Sequence, residues 1–261
     1  RMYDVVTFGE AMLRLAPPSF QRLEQTTSLD VQIGGGELNV AAGVVRFGLK
    51  STWVSRLPKN AAGRLALNRV RLAGVDTSYV VWAHDGRMGL YFVEFGAAPR
   101  ASSVLYDRGN SAISLIKPGE VNWRNVFEGA KWFHTSGITP ALSDSAAAVT
   151  REALEAARQA GLTVSYDLNY RAKLWSPEKA QAVQEPLMEH VDVLITTEED
   201  TGIVFKIKAE GEPAATGFTQ VASEPYKEVA RRLQEKFHFK AVAITLRENP
   251  LVWRNTWTAI A

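Results

Sequence analysis

The chain has 261 residues, 46% of them hydrophobic, a formal net charge of +2 and no cysteine. That length supports one large core, and the absence of cysteine excludes disulfides and thiolate metal sites. Basic residues are scattered among acidic ones, which argues against a nucleic-acid partner, and no apolar run nears the roughly 18 residues of a spanning helix, so no membrane partner is expected.

Val5–Glu10 is an apolar run closing on Gly9, the pattern of a buried parallel strand, and Val40 to Leu49 follows with helical spacing. Thr52–Leu57 then reads as a strand and Gly63–Leu72 as a helix stopped by Gly74. Further on come strand Lys131–Ser136, helix Ser143–Ala160 with Gly161 behind it, strand Thr163–Asp167 and helix Pro177–His190. Strand Val193–Thr196, helix Glu224–Phe237 and strand Ala241–Thr245 complete the alternation, with 208–222 reading as a loop. The expected fold is α/β, a mostly parallel sheet flanked by helices.

Residues 11–33 and 79–115 break this rhythm. Met12–Leu15, Val80–Trp82, Leu90–Phe95 and Ser103–Tyr106 alternate in polarity and are separated by turn residues, as in a small antiparallel sheet. Such a sheet needs a partner for one face, so it is expected to act as a lid over the ends of the main strands, as a dimer surface, or as both.

Ligands in open α/β sheets collect beyond the carboxyl ends of the strands. Gly34-Gly35-Gly36-Glu37-Leu38-Asn39 there opens a helix, so its free N–H groups and Asn39 are suited to a polar ligand, although glycine runs also make plain turns. After Thr163–Asp167, Asn169 and Arg171 follow at two-residue steps; Arg171 is suited to clamping a carboxylate or phosphate, or to pairing with Asp167 at the surface. Glu198, Glu199 and Asp200 stand at a helix start, where acids cap, or where one of them holds Mg²⁺ through water. Thr245 ends a strand and Arg247 follows it, where backbone and hydroxyl groups are suited to a nucleotide, and Tyr91, Tyr106 and Arg108 on the lid are suited to a sugar carboxylate or make an ordinary exposed strand face.

Gly35–Ala41 with Gly48, Leu72–Thr77, and Asp167–Arg171 with Leu174-Trp175 resemble the ribokinase-like (PfkB) carbohydrate kinases from about residue 3 to the end of the chain. The resemblance, with Glu37 in the glycine motif and Tyr106-x-Arg108 on the lid, implies ATP-dependent, Mg²⁺-assisted phosphorylation of a sugar primary hydroxyl. The acceptor it implies is a sugar acid of the 2-keto-3-deoxygluconate type. Gly34, Gly35, Gly36 and Asn39 would form the sugar floor, and Tyr91, Tyr106 and Arg108 would approach from the lid. Arg171 would stand between the sugar acid and the transferred phosphate, Asn169, Thr245 and Arg247 would border ATP, and Glu199 would serve the metal. A homo-oligomer through the lid and a cytoplasmic location are also expected.

The sequence departs from that pattern at Leu57–Asn60, at Thr197, and in lacking the Asp-Thr-x-Gly-Ala-Gly-Asp-like segment that carries the family's anion hole and general base. The chain is therefore expected to be C-terminally incomplete and catalytically inactive by itself. Two alternatives stay open: a fructokinase- or ribokinase-type member, and a non-catalytic sugar-binding module of the same fold. A dinucleotide-binding domain is disfavoured, since no Gly-x-Gly-x-x-Gly follows the first strand.

Overall fold

The computed structural model describes residues 2–208, 223–251 and 254–261, with side chains at 2–208, 224–246 and 257–261. In chain order the first half gives β1 (Val5–Phe8), β2 (Met12–Ala16), β3 (Asp30–Gly34), α1 (Gly36–Arg46), β4 (Ser51–Val54) and β5 (Arg56–Pro58). It continues with α2 (Ala61–Leu72), β6 (Val81–Ala83), β7 (Gly89–Glu94) and β8 (Ser103–Asp107). The second half runs α3 (Trp123–Phe127), β9 (Trp132–Ser136), α4 (Ile138–Ala141), α5 (Asp144–Gln159), β10 (Thr163–Asp167) and α6 (Pro177–Gln184). It ends with β11 (Val193–Thr196), α7 (Glu198–Val204), α8 (Ser223–Phe237), β12 (Ala241–Leu251) and β13 (Arg254–Ile260).

Among the described residues seven strands form the central sheet in the order β13-β12-β11-β10-β9-β1-β4, parallel except for the antiparallel β12–β13 edge. Apolar residues on both faces explain why it is covered on both sides: Val6, Phe8, Phe133, Val164, Tyr166 and Leu194 are fully buried. Local chemistry sets the helix ends. Asn60, Ser143, Ser176 and Thr197 each accept a hydrogen bond from a backbone N–H in the first turn of the helix that follows. Gly74 (φ +83°) and Gly161 (φ +75°) take the left-handed conformation that stops α2 and α5.

Four strands, β3-β2-β7-β8, make the lid. It is mixed rather than antiparallel, because β2 and β7 run parallel, in register from Met12–Gly89 to Leu15–Phe92. The chain between them holds α1 and α2, long enough to bring β7 back in the same direction. Val80–Trp82 does not join the lid: β6 pairs with β5 in a separate two-stranded parallel sheet. That pairing also divides the single strand expected over Thr52–Leu57.

Three other boundaries moved. The helix opened by the glycine run starts at Gly36, with extended Gly35 as its N-cap, but stops at Arg46 and not at Leu49, because the chain turns at left-handed Gly48 (φ +83°). The helix expected over Pro177–His190 changes to a tighter 3-10 turn at Glu185–His190, where Pro186 has no N–H to continue the α ladder. The Ala241–Thr245 strand extends to Leu251, lengthened by its antiparallel partner β13. The loop expected at 208–222 lies, beyond Lys208, outside the described residues. Among the described residues no helix is long and apolar enough to cross a membrane.

Candidate active site

The carboxyl ends of β1, β9 and β10 open into a cavity of about 210 Å³ that lies between the central sheet and the lid. Gly35, Gly36, Glu37 and Asn39 line it from the body, Met12, Gly34, Tyr91, Tyr106 and Arg108 from the lid, and Asn169 and Arg171 from the loop after β10. Chain segments far apart in sequence thus meet here.

Close approach explains two of the glycines. A Cβ on Gly35 would stand 2.3 Å from the Glu10 backbone oxygen, and one on Gly34 would stand 2.2 Å from the Tyr91 hydroxyl. Gly36 has open space around it, so its role is to leave the first turn of α1 bare toward the cavity.

Glu37 sits beneath this floor, fully buried. Its carboxyl group rests on Gly9, where a Cβ would be 2.2 Å from Glu37 Cδ, and it accepts hydrogen bonds from the Ser136 hydroxyl and, at 3.4 Å, from Thr139 Oγ1. Burial pushes Glu37 up to about 7; the Ser136 hydrogen bond opposes the rise, and the charges of Asp167 and Glu10 add to it. Sequence reading found Glu37 as part of a motif but not as a buried acid, since nothing local marks where a helical side chain points.

The lid contributes aromatic rings and a cation. Tyr91 and Tyr106 face each other across β7 and β8 and stack with centroids 5.9 Å apart. Alternation along β8 carries Arg108 to the same side, its Cζ 5.5 Å from the Tyr106 centroid. Arg108 Nη2 bonds Glu10, whose side chain is 2% exposed. Burial pushes the Glu10 carboxyl up and the Arg108 charge draws it back. The sequence offered Arg108 as a reader of an external carboxylate or as part of an exposed strand face; in the structure its charge is met by the carboxylate of Glu10.

Asn169 takes a left-handed conformation (φ +40°), which Asn tolerates better than most residues, and so turns the chain out of β10. Arg171 then reaches the cavity, with Nη1 3.3 Å from the Tyr170 carbonyl oxygen. It makes no ion pair with Asp167 among the described residues, so the surface-pair alternative is not what the structure holds. Asp167 is pushed up to about 6 by burial first and by Asp200 second, with Arg171 and the Asn169 backbone N–H pulling it down. Asp200 is raised too, mainly by burial, while accepting the Tyr170 N–H at 3.3 Å.

The residues expected on the nucleotide side lie farther along the sheet edge. Thr245 Oγ1 donates to the Thr196 carbonyl at 3.4 Å, placing it beside the end of β11, and the side chain of Arg247 lies outside the described ones. Glu199 is exposed in the first turn of α7. Among the described residues no group of three or more His, Asp or Glu side chains is placed to hold a metal ion. Glu199, with Glu198 and Asp200 beside it in the first turn of α7, offers single carboxylate contacts and not a complete protein cage.

Residues 2–256 match the family described as pfkB family carbohydrate kinase, and the chain belongs to that family, whose sugar kinases use ATP. It is 38% identical over 255 residues to a 2-dehydro-3-deoxygalactonokinase of Haloferax volcanii, a match covering 98% of this chain and 75% of the relative. A 2-dehydro-3-deoxygluconokinase of Bacillus subtilis is 32% identical over 180 residues, covering 69% of this chain and 55% of that protein. Among solved structures, a 2-dehydro-3-deoxygluconokinase from Thermotoga maritima superposes with a TM-score of 0.92 at 45% identity, covering 99% of this chain and 76% of the other.

Proposed function

We propose that this chain forms the sugar-acid site, and part of the nucleotide site, of an ATP-dependent kinase that phosphorylates the primary hydroxyl of 2-keto-3-deoxygluconate or a close relative. The observation that carries this reading is the meeting of the bare α1 start, the paired lid tyrosines, Arg108 and Arg171 around one small cavity. Phosphoryl transfer asks a protein mainly for positioning and charge stabilisation, and these groups supply both. Gly34, Gly35, Gly36 and Asn39 hold the sugar hydroxyls, and Tyr91, Tyr106 and Arg108 cover the sugar. Arg171 faces the junction of sugar and transferred phosphate and offsets charge there. Asn169, Thr245 and Arg247 border the nucleotide. Glu199 would hold Mg²⁺ through water, and the ion would shield the phosphate charge there. The outer lid strand β8, exposed along its length, is the surface through which the protein self-associates.

Titration calorimetry with sugars tests the reading. We expect 2-keto-3-deoxygluconate to bind in clear preference to fructose and ribose, and equal affinities would overturn it. No Gly-Ala-Gly-Asp segment occurs in the 261 residues, so the same polypeptide is expected to bind sugar without transferring phosphate from ATP. A coupled assay that detects turnover would refute that.

A further inference from the structure

Two cations that line the cavity already face carboxylates of the chain. Arg108 bonds Glu10, and Arg171 lies in the field of Asp167 and Asp200. Lys173 differs from both. Among the described residues it makes no ion pair, and its ammonium lies 5.6 Å from the centroid of the Tyr106 ring, within cation–π range. The loop that carries it is held as a turn, with the Leu174 N–H donating to the Arg171 carbonyl at 2.9 Å. Lys173 therefore stands two residues beyond Arg171 on a fixed turn of the body and reaches across to the outer strand of the lid. Tyr106 lines the cavity, so a charge held over its ring acts at the cavity mouth. A lysine ammonium on a long stem is a compact charge that works over such a distance without fork geometry.

We propose that Lys173 determines specificity: from the turn after Arg171 it links body to lid through Tyr106 and supplies an uncompensated positive charge that favours a sugar bearing a carboxylate over its neutral counterpart. This rests on the sugar-acid reading above.

The test is calorimetric titration of the 261-residue chain with 2-keto-3-deoxygluconate and with 3-deoxyfructose, the same ketose with a hydroxymethyl group in place of the carboxylate. Lys173→Met keeps the apolar stem and removes the charge. It should weaken binding of the acid about five-fold, the worth of one partly screened charge contact, and leave 3-deoxyfructose unchanged, while Lys173→Arg restores the preference. Equal losses for both sugars, or an unchanged affinity for the acid, would overturn the proposal. A wild-type chain that bound neither sugar, or both equally, would instead remove the sugar-acid reading. Hydrogen exchange then decides the lid link without any ligand: Lys173→Met should speed exchange in Ser103–Asp107 and Lys173→Arg should not. Unchanged exchange in Lys173→Met would remove that link as well.

Discussion

The central sheet and the lid draw on the same apolar and polar residue types but differ in what covers them. In the body, Phe8, Phe133 and Val164 are wholly enclosed, and Phe133 packs against Phe127 with centroids 5.1 Å apart. In the lid, β2 and β7 place Leu13 and Leu90 against a second cluster that contains Leu38 and Leu57, while every residue of β8 is exposed. The division matches the chemistry each part carries. The body holds buried Glu37 and half-buried Asp167, whose ionisation costs free energy and needs fixed surroundings. The lid holds Tyr106 and Arg108 on thinly covered strands, as suits groups that close over a ligand.

The largest expected contrast is in stability. Phe133→Ala should cost about 3–5 kcal/mol in urea unfolding, because the cavity it leaves lies in a close-packed core. Leu105→Ala, at a position 59% exposed on β8, should stay within about 0.5 kcal/mol of wild type. A loss of several kcal/mol from Leu105→Ala would show that the outer lid strand is as firmly held as the body, and the contrast would fail.

Next in size is a pH effect confined to the body. Glu37 titrates near 7 in the folded chain against an ordinary value of 4.5, so the native state keeps a proton that the unfolded chain has already released. Its contribution therefore falls as pH rises from about 4.5 to about 7 and is level above that, by about 3 kcal/mol in all at 1.36 kcal/mol per unit. Asp167, raised to about 6, acts in the same direction, and buried His134, lowered to about 4, acts in the opposite one below its ordinary 6.5. The difference between wild type and Glu37→Gln isolates the first of these. Glu37→Gln should be the more stable protein at pH 8 and should match wild type near pH 4.5, measured by urea unfolding at both. A difference that does not change with pH would mean that Glu37 is ionised in its pocket.

Sequence made the body legible and the lid only partly so. Val193–Thr196 was found with its observed ends as a short apolar run after Asp192, and Thr163–Asp167 as a short run with β-branched and aromatic residues after the stop at Gly161. Ser143 and Gly161 likewise mark a helix through local backbone chemistry that needs no tertiary contact. The parallel β2–β7 pairing and the separate β5–β6 pair join distant segments, and no local period encodes which distant strand is the partner. The site divides in the same way. The glycine run and Arg171 were readable as types of residue placed after strands. The Glu10–Arg108 pair and the Lys173–Tyr106 contact depend on where side chains meet across the closed structure.

The smallest effect separates two neighbouring glycines, one set against the body and one against the lid. Neither has a positive φ, so alanine meets no backbone strain at either position and only the neighbouring atoms matter. At Gly35 the obstacle to a Cβ is the Glu10 backbone oxygen, 2.3 Å away, which no rotamer change can move. Gly35→Ala should therefore cost about 1–3 kcal/mol in unfolding free energy and displace the sugar floor. At Gly34 the obstacle is the Tyr91 hydroxyl at 2.2 Å, the tip of a lid side chain, with the next ring atom at 3.1 Å. Gly34→Ala should cost less than about 1 kcal/mol, because the ring can swing away, but sugar affinity should fall as Tyr91 leaves the cavity. Removing that hydroxyl removes the clash, so adding Tyr91→Phe should recover stability in Gly34→Ala and leave Gly35→Ala as unstable as before. Rescue of both variants, or of neither, would mean that the floor and the lid yield alike, and that the backbone of the body is no firmer a boundary than a tyrosine tip.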